Sequence, residues 1–322
     1  VAKITESPDM FNIKGMVIAS EPMWRHTTFA AGGPADLFAV PADGKDLRSL
    51  LAAARREEKD VFILGGGSNI LVADSGIRGL VVDTRLFNEY RVESAGDKGS
   101  GTGRETGSGK PVLVIGAGLP VSDAAWMSGS SGLGGLDFLF GMPGTVGGAL
   151  WMNARCYDEE ISEKILWIEA MDRSGRISRI TMNKKEWGYK HSPFQTRNGG
   201  ELTILRAAFS MSPGEPSALK TGMREKRDNR ESKGHYKAPC AGSAFKNNRA
   251  FGAPSGVLIE KCGLKGLRIG GASVAPWHAN IIINEGSAKA ADIRRLLDEV
   301  AGKVAESTGF HMEPEVLPVG DW

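Results

Sequence analysis

Val61-Phe62-Ile63-Leu64-Gly65-Gly66-Gly67-Ser68-Asn69 decides the fold of this chain. Four consecutive apolar residues read as a buried strand. The three glycines that follow remove every side chain that would hold a ligand away from the main chain. Backbone N–H groups in such a turn can close on a diphosphate. A second stretch has the same character: Gly141-Met142-Pro143-Gly144-Thr145-Val146-Gly147-Gly148. Either loop alone is compatible with an ordinary tight turn. Together they point to a dinucleotide held between two subdomains.

The surrounding text supports this. Leu37 to Val40 reads as a short strand and Lys45 to Glu58 as a helix, with Leu47, Leu50, Leu51 and Ala54 on one face. Leu80 to Asp83 is another strand, which completes β-α-β logic around a small sheet. Residues 1–20 show no period. Ser94 to Lys110, rich in Gly, Ser, Thr and charge, reads as a surface loop. Val112 to Ile115 resumes the strand pattern, and Val121 to Ser128 reads as a helix. Ile165 to Asp172, Ile177 to Met182 and Leu202 to Met211 alternate like strands of an antiparallel sheet. Composition shifts at Ser212-Pro213-Gly214-Glu215-Pro216, where a boundary is expected. Near the end, Ala288 to Ser307 reads as a long helix with a stripe of Ile293, Leu296, Leu297, Val300 and Val304.

Several classes are excluded. Gly116-Ala117-Gly118 opens like a G-x-G-x-x-G fingerprint, but Pro120 interrupts it and Val121 takes the third glycine's place. No P-loop pattern occurs. No H-E-x-x-H or Cys/His cluster suggests a metal site, and His26, His191, His235, His278 and His311 are scattered. A net charge of +2 is too small to argue for nucleic acid or a membrane surface. No apolar run reaches the length of a membrane span and no secretory pattern is seen at the start. Cys156, Cys240 and Cys262 are odd in number and far apart, so plain thiols in a reducing cytoplasm are expected.

Four stretches together resemble one family. They are His26-Thr27-Thr28-Phe29 through Gly32-Gly33-Pro34-Ala35-Asp36; Leu64 to Val72; Gly141 to Ala149 with Met152-Asn153-Ala154; and Ala241-Gly242-Ser243-Ala244-Phe245-Lys246-Asn247, continued by Gly263-Leu264-Lys265-Gly266 and His278-Ala279-Asn280. The last block is the most specific. The chain resembles the UDP-N-acetylenolpyruvoylglucosamine reductases, also called UDP-N-acetylmuramate dehydrogenases, over about residues 22–320. The short chain between Phe194 and Arg224 matches the compact subtype, which lacks an extra tyrosine-bearing loop.

The resemblance implies an α+β fold: a two-part FAD-binding unit of the vanillyl-alcohol-oxidase type plus an α/β substrate-binding domain. The expected division is 1–84, 85–214 and 215–310, with the tail 311–322 returning to the active site. The implied activity is NADPH-dependent, FAD-mediated reduction of the enolpyruvyl ether of a UDP-sugar in peptidoglycan precursor synthesis. Expected partners are the UDP-sugar and NADPH, without nucleic acid or membrane, and a monomer is expected. Other readings are another flavin oxidoreductase of the same superfamily, acting on a hydroxy acid or sugar, and a non-catalytic flavin-binding sensor.

The implied site follows residue by residue. FAD would be held by Gly65, Gly66, Gly67, Ser68, Asn69, Gly118, Pro143, Gly144, Thr145, Gly147 and Gly148. Ser243 matches the family's proton donor; so weak an acid can protonate only a strongly basic, enol-like intermediate. Glu315 matches the family's catalytic glutamate, with Glu313 as its neighbour and competitor. Lys190 stands where the family has arginine after tyrosine, supplying charge without the bidentate fork. Arg155, where the family has glycine, is a candidate to supplement it. Tyr189, Lys246, Asn247 and Asn284 are the expected substrate contacts. Arg230, Lys233 and Lys237 are candidates for a diphosphate contact. No nucleophilic role is assigned to Cys240, because no base accompanies it and the reaction needs no covalent intermediate.

Overall fold

The computed structural model describes residues 13–93, 110–196 and 202–322. Apart from Lys110, the surface loop expected over 94–110 lies outside them. Three sheets follow one another along the chain. The first has strands β1 (Met16–Pro22), β2 (Pro34–Val40), β3 (Val61–Leu64) and β5 (Ile77–Asp83) in the order β1-β2-β5-β3. β2 and β3 run parallel to β5, and β1 is antiparallel to β2. Helix α1 (Gly44–Arg56) starts where Asp43 accepts from the N–H groups of Lys45 and Asp46. Its Leu47, Leu50, Leu51 and Ala54 are buried together against the sheet. β1 carries no readable period because its residues are almost all half-buried. Strand β4 (Ile70–Val72) leaves the first glycine loop without joining this sheet.

The second sheet is antiparallel throughout. It contains β6 (Tyr90–Glu93), β7 (Val112–Gly116), β8 (Ile165–Met171), β9 (Ile177–Thr181) and β10 (Thr203–Ser210), ordered β9-β8-β10-β7-β6. Helices α2 (Val121–Ser130) and α3 (Val146–Trp151) share a core with it that includes Leu113, Ile115, Phe138, Leu150 and Phe209. Helix α4 (Pro216–Ser232) lies beyond the compositional break at 212–216, yet it packs here. Met223 joins that core, and Lys226 Nζ meets Asp137 Oδ2 at 2.6 Å.

The third sheet is also antiparallel: β11 (Cys240–Ser243), β12 (Arg268–Ile269), β13 (Ala272–Val274) and β14 (Ile281–Asn284), ordered β11-β14-β13-β12. Helices α5 (Ser255–Lys261) and α6 (Ala290–Thr308) cover it. The expected stripe of α6 is buried in full. Phe29, Ala31 and Leu71 of the first unit enter this core. Asp74 accepts from the first two N–H groups of α6, Ala290 and Ala291, which strengthens the joint. The tail then returns. β15 (Leu317–Val319) pairs parallel with β4 beside the first glycine loop.

Candidate functional site

The two glycine loops pack on each other. A Cβ on Gly66 would come within 2.6 Å of Gly144 Cα, and one on Gly65 within 2.7 Å of Thr145 Oγ1. Gly67 has φ +60°, and a side chain there would strike the His26 carbonyl. Loop-on-loop contact therefore demands these glycines before any ligand is considered. Ser68 Oγ donates to the Pro143 carbonyl at 3.3 Å and adds a second tie.

A cavity of about 490 Å³ runs beneath this joint. Gly65, Gly66, Gly67, Ser68, Asn69, Pro143, Gly144, Thr145, Gly147 and Gly148 all line it, as do Ser243, Glu315 and Lys190. Among the described residues, the N–H groups of Gly66, Gly67 and Ser68 donate to no protein acceptor. The second loop is more fully occupied: Gly147 N–H donates to the Ala117 carbonyl at 2.7 Å and Gly148 N–H to Thr145 Oγ1 at 3.3 Å. Those two glycines contribute shape rather than free donors. Gly118 is corrected outright. It does not line the cavity, its N–H donates to the Phe87 carbonyl, and a side chain there would strike the Thr84 carbonyl.

Ser243 ends β11. Its neighbours are held by Asn280, which accepts from the Phe245 N–H and donates to the Phe245 carbonyl, while the Ala244 N–H donates to the Asn280 carbonyl. The tail crosses the same segment. Glu315 N–H donates to the Ala244 carbonyl at 2.8 Å, and Phe245 bridges Pro314. One backbone register thus brings Ser243 and Glu315 to the same wall. Ser243 is half-buried there and lines the cavity.

Lys190 arrives from elsewhere. Gly188 and His191 exchange two backbone hydrogen bonds, which makes Tyr189 and Lys190 the turn. Lys190 sits at φ +55°, a left-handed conformation that costs a non-glycine residue about 1–2 kcal/mol. Its Nζ lies 2.5 Å from Glu315 Oε1, and both side chains are largely buried. Glu313, the sequence competitor, faces outward and pairs with Lys246 Nζ at 2.5 Å.

The four expected substrate contacts do not line the cavity. Tyr189 is exposed, and its hydroxyl accepts from the Asn247 N–H at 3.2 Å. Asn247 Oδ1 accepts from the N–H of Ser255, the first residue of α5. Asn284 is a correction: its Nδ2 donates to the Phe29 and Ala30 carbonyls, and its Oδ1 accepts from the Gly286 and Ala288 N–H groups. It is buried and fully bonded, and it welds the third unit to the first. Of the cations Arg230, Lys233 and Lys237, only Arg230 lines the cavity. Arg155 lines it too, between Asp158 at 3.1 Å and Glu160 at 3.4 Å.

Sequence reasoning missed three polar wall residues, Thr84, Gln195 and His235. Burial pushes His235 down to about 4, helped by Arg230, His278 and Lys233, so it is neutral near pH 7. Its Nδ1 is buried with no partner among the described residues. The Cys240 thiol donates to the His235 carbonyl at 3.8 Å and is pushed up by burial, as suits an unreactive thiol. Among the described residues no group of His, Cys, Asp and Glu could hold a metal ion.

Two family models match the chain: an FAD binding domain over residues 35–181, and the C-terminal domain of UDP-N-acetylenolpyruvoylglucosamine reductase over residues 234–319. The UDP-N-acetylenolpyruvoylglucosamine reductase of Treponema denticola is 39% identical across 96% of this chain and 95% of its own. The enzyme of the same name from Treponema pallidum is 36% identical across 93% and 92%. The crystal structure of the reductase from Thermus caldophilus superposes with a TM-score of 0.74, at 26% identity, over 95% of this chain and 99% of that one. The chain belongs to the UDP-N-acetylenolpyruvoylglucosamine reductase family.

Proposed function

We infer that this chain reduces the enolpyruvyl ether of UDP-N-acetylglucosamine to UDP-N-acetylmuramate, with FAD and NADPH, in peptidoglycan precursor synthesis. The observation that carries this reading is the shared wall of the cavity. Ser243, Lys190 and Glu315 line the same space as two glycine loops. The residues fit FAD. A diphosphate needs N–H donors that the fold does not use, and Gly66, Gly67 and Ser68 have them. An extended flat ligand needs apolar walls, and Phe62, Ile70, Leu202 and Ile204 supply them. When bound, FAD supplies the hydride-carrying capacity that links the nicotinamide to the sugar.

The chain's own residues do the rest. Lys190 grips the substrate carboxylate and absorbs the charge that grows on it as the double bond is reduced. Glu315 holds the Lys190 ammonium at the wall and stabilises the enol form. The Ser243 hydroxyl gives its proton to the carbon next to the carboxylate. Arg230 is the strongest diphosphate candidate among the basic residues of 224–237, because it alone of Arg230, Lys233 and Lys237 lines the cavity. Arg155 adds positive charge to the same wall. The single-chain cavity is compatible with a monomer, and a cytoplasmic location accords with the three free thiols.

The experiment is a two-step anaerobic titration of the purified yellow protein. NADPH should bleach the flavin, and the enolpyruvyl UDP-sugar should restore its colour. Bleaching by a hydroxy acid or sugar alone would favour another flavin oxidoreductase. No bleaching and no recovery would favour a sensor.

A further inference from the structure

Trp151 closes α3, and its carbonyl belongs to the last turn, where intrahelical donors run out. Two side chains from much further along the chain, just after the Gly188–His191 turn, satisfy it. Ser192 Oγ donates at 2.7 Å and Gln195 Nε2 at 2.8 Å. Gln195 Nε2 also donates to the Lys190 carbonyl at 3.2 Å. An amide nitrogen carries two hydrogens, so both are engaged on main chain. The second bond falls on the residue held in the left-handed conformation.

Glu315 is gripped in the same way from the other side. Asn69 Nδ2 donates to the Glu315 carbonyl at 3.1 Å, and the Leu317 N–H donates back to the Asn69 carbonyl at 3.0 Å. Asn69 Nδ2 lies 3.4 Å from Met152 Sδ, and Gln195 Nε2 lies 4.0 Å from the same sulfur. Two amides therefore flank one methionine. One holds the backbone of Lys190 and the other the backbone of Glu315.

We propose that Gln195 and Asn69 are positioning residues for the Lys190–Glu315 ion pair. They fix the main chain beneath each charged side chain and so set where the two charges stand in the cavity. Asn69 does this from inside the first glycine loop, which ties the geometry of that loop to the position of Glu315. A capping role alone does not account for the arrangement. Ser192 already satisfies the Trp151 carbonyl, and capping needs no bond to Lys190. The proposal rests on reading Lys190 and Glu315 as the charged groups at the reacting end of the sugar.

The test is Gln195→Met in the full-length flavoprotein, which keeps length and bulk and removes both donors. Flavin reduction by NADPH, flavin reoxidation by the enolpyruvyl UDP-sugar and thermal unfolding are measured, with Lys190→Met as a second background. Reoxidation at saturating sugar should slow by about tenfold or more, since small misplacements of charged groups are costly. Reduction by NADPH should stay within about twofold, and in the Lys190→Met background the same change should add less than about twofold. Equal slowing of both half-reactions overturns the proposal, as does an undiminished tenfold loss in the Lys190→Met background. Gln195→Leu with Lys190→Met makes the same comparison if Gln195→Met does not fold. If the wild-type protein is not reoxidised by the sugar at all, the functional reading fails instead. Crystal structures then decide the clamp: an unchanged Lys190–Glu315 separation in Gln195→Met overturns it.

Discussion

Lys190 Nζ lies 2.5 Å from Glu315 Oε1. One residue sits on a turn docked at the C-terminal end of α3, and the other on a tail that crosses from the third unit back to the first. The pair therefore reports whether all three units are correctly assembled, and it carries the charge that the proposed chemistry needs.

Removing the cation strands a largely buried carboxylate. Lys190→Met should lower stability by about 1–3 kcal/mol, read by denaturant unfolding. It should slow reoxidation by the sugar by about a hundredfold or more. Lys190→Arg supplies the same charge on a planar, bidentate fork and should stay within about tenfold of wild type. An arginine variant as impaired as the methionine variant would show that charge at 190 is not what matters.

Contact between the glycine loops predicts an asymmetry. Gly66→Ala forces a Cβ toward Gly144 Cα, at 2.6 Å before any relaxation, where only backbone can yield. At Gly148 the nearest atom, Thr145 Oγ1, stands 3.6 Å away. Gly66→Ala should part the loops, lowering both flavin content and the melting temperature. Gly148→Ala should leave the unfolding free energy of the flavin-free protein within about 0.5 kcal/mol of wild type. Equal losses in the two variants would contradict the packing argument.

Asp74 caps α6 from another unit, accepting from Ala290 and Ala291 at 2.8 and 3.0 Å. Asp74→Ala should cost about 1 kcal/mol by equilibrium unfolding, in the usual range for a lost helix cap. Both flavin half-reactions should be unaltered, because Asp74 does not line the cavity.

His235 predicts a pH dependence of stability. Its folded value of about 4 lies below the ordinary 6.5, so between those values the unfolded chain binds a proton that the folded chain does not. Stability should therefore fall as pH drops through this window and level off below about 4. His235 is partly exposed, so solvent screening reduces the size of the loss. In His235→Gln the melting temperature should fall less between pH 7 and pH 4 than in wild type.

The legible parts of the fold were those with strong local pattern. The strands ending at Leu64 and Asp83, the three long strands of the second sheet and the stripe of α6 announce themselves by spacing. The third sheet does not, because its strands are only two to four residues long. Helix α4 was hidden by its own charge: among its side chains only Met223 is buried, so no apolar face marks it. At the site, the glycine loops and Ser243 could be found in the text, but their bonding could not. Asn284 stood in a family-like neighbourhood while serving only the fold. Gly147 looked like a free donor and is engaged by Ala117. Nothing in the sequence marks Gln195, whose bonds depend on where α3 ends.

The account rests on the Ser243 hydroxyl as the proton donor at the cavity wall. Ser243→Ala, followed by anaerobic stopped-flow absorbance, addresses it directly. Bleaching by NADPH should proceed at the wild-type rate, and recovery on adding the enolpyruvyl UDP-sugar should slow by about 10²–10⁴-fold. Recovery at the wild-type rate, or a loss confined to the bleaching step, would contradict the account.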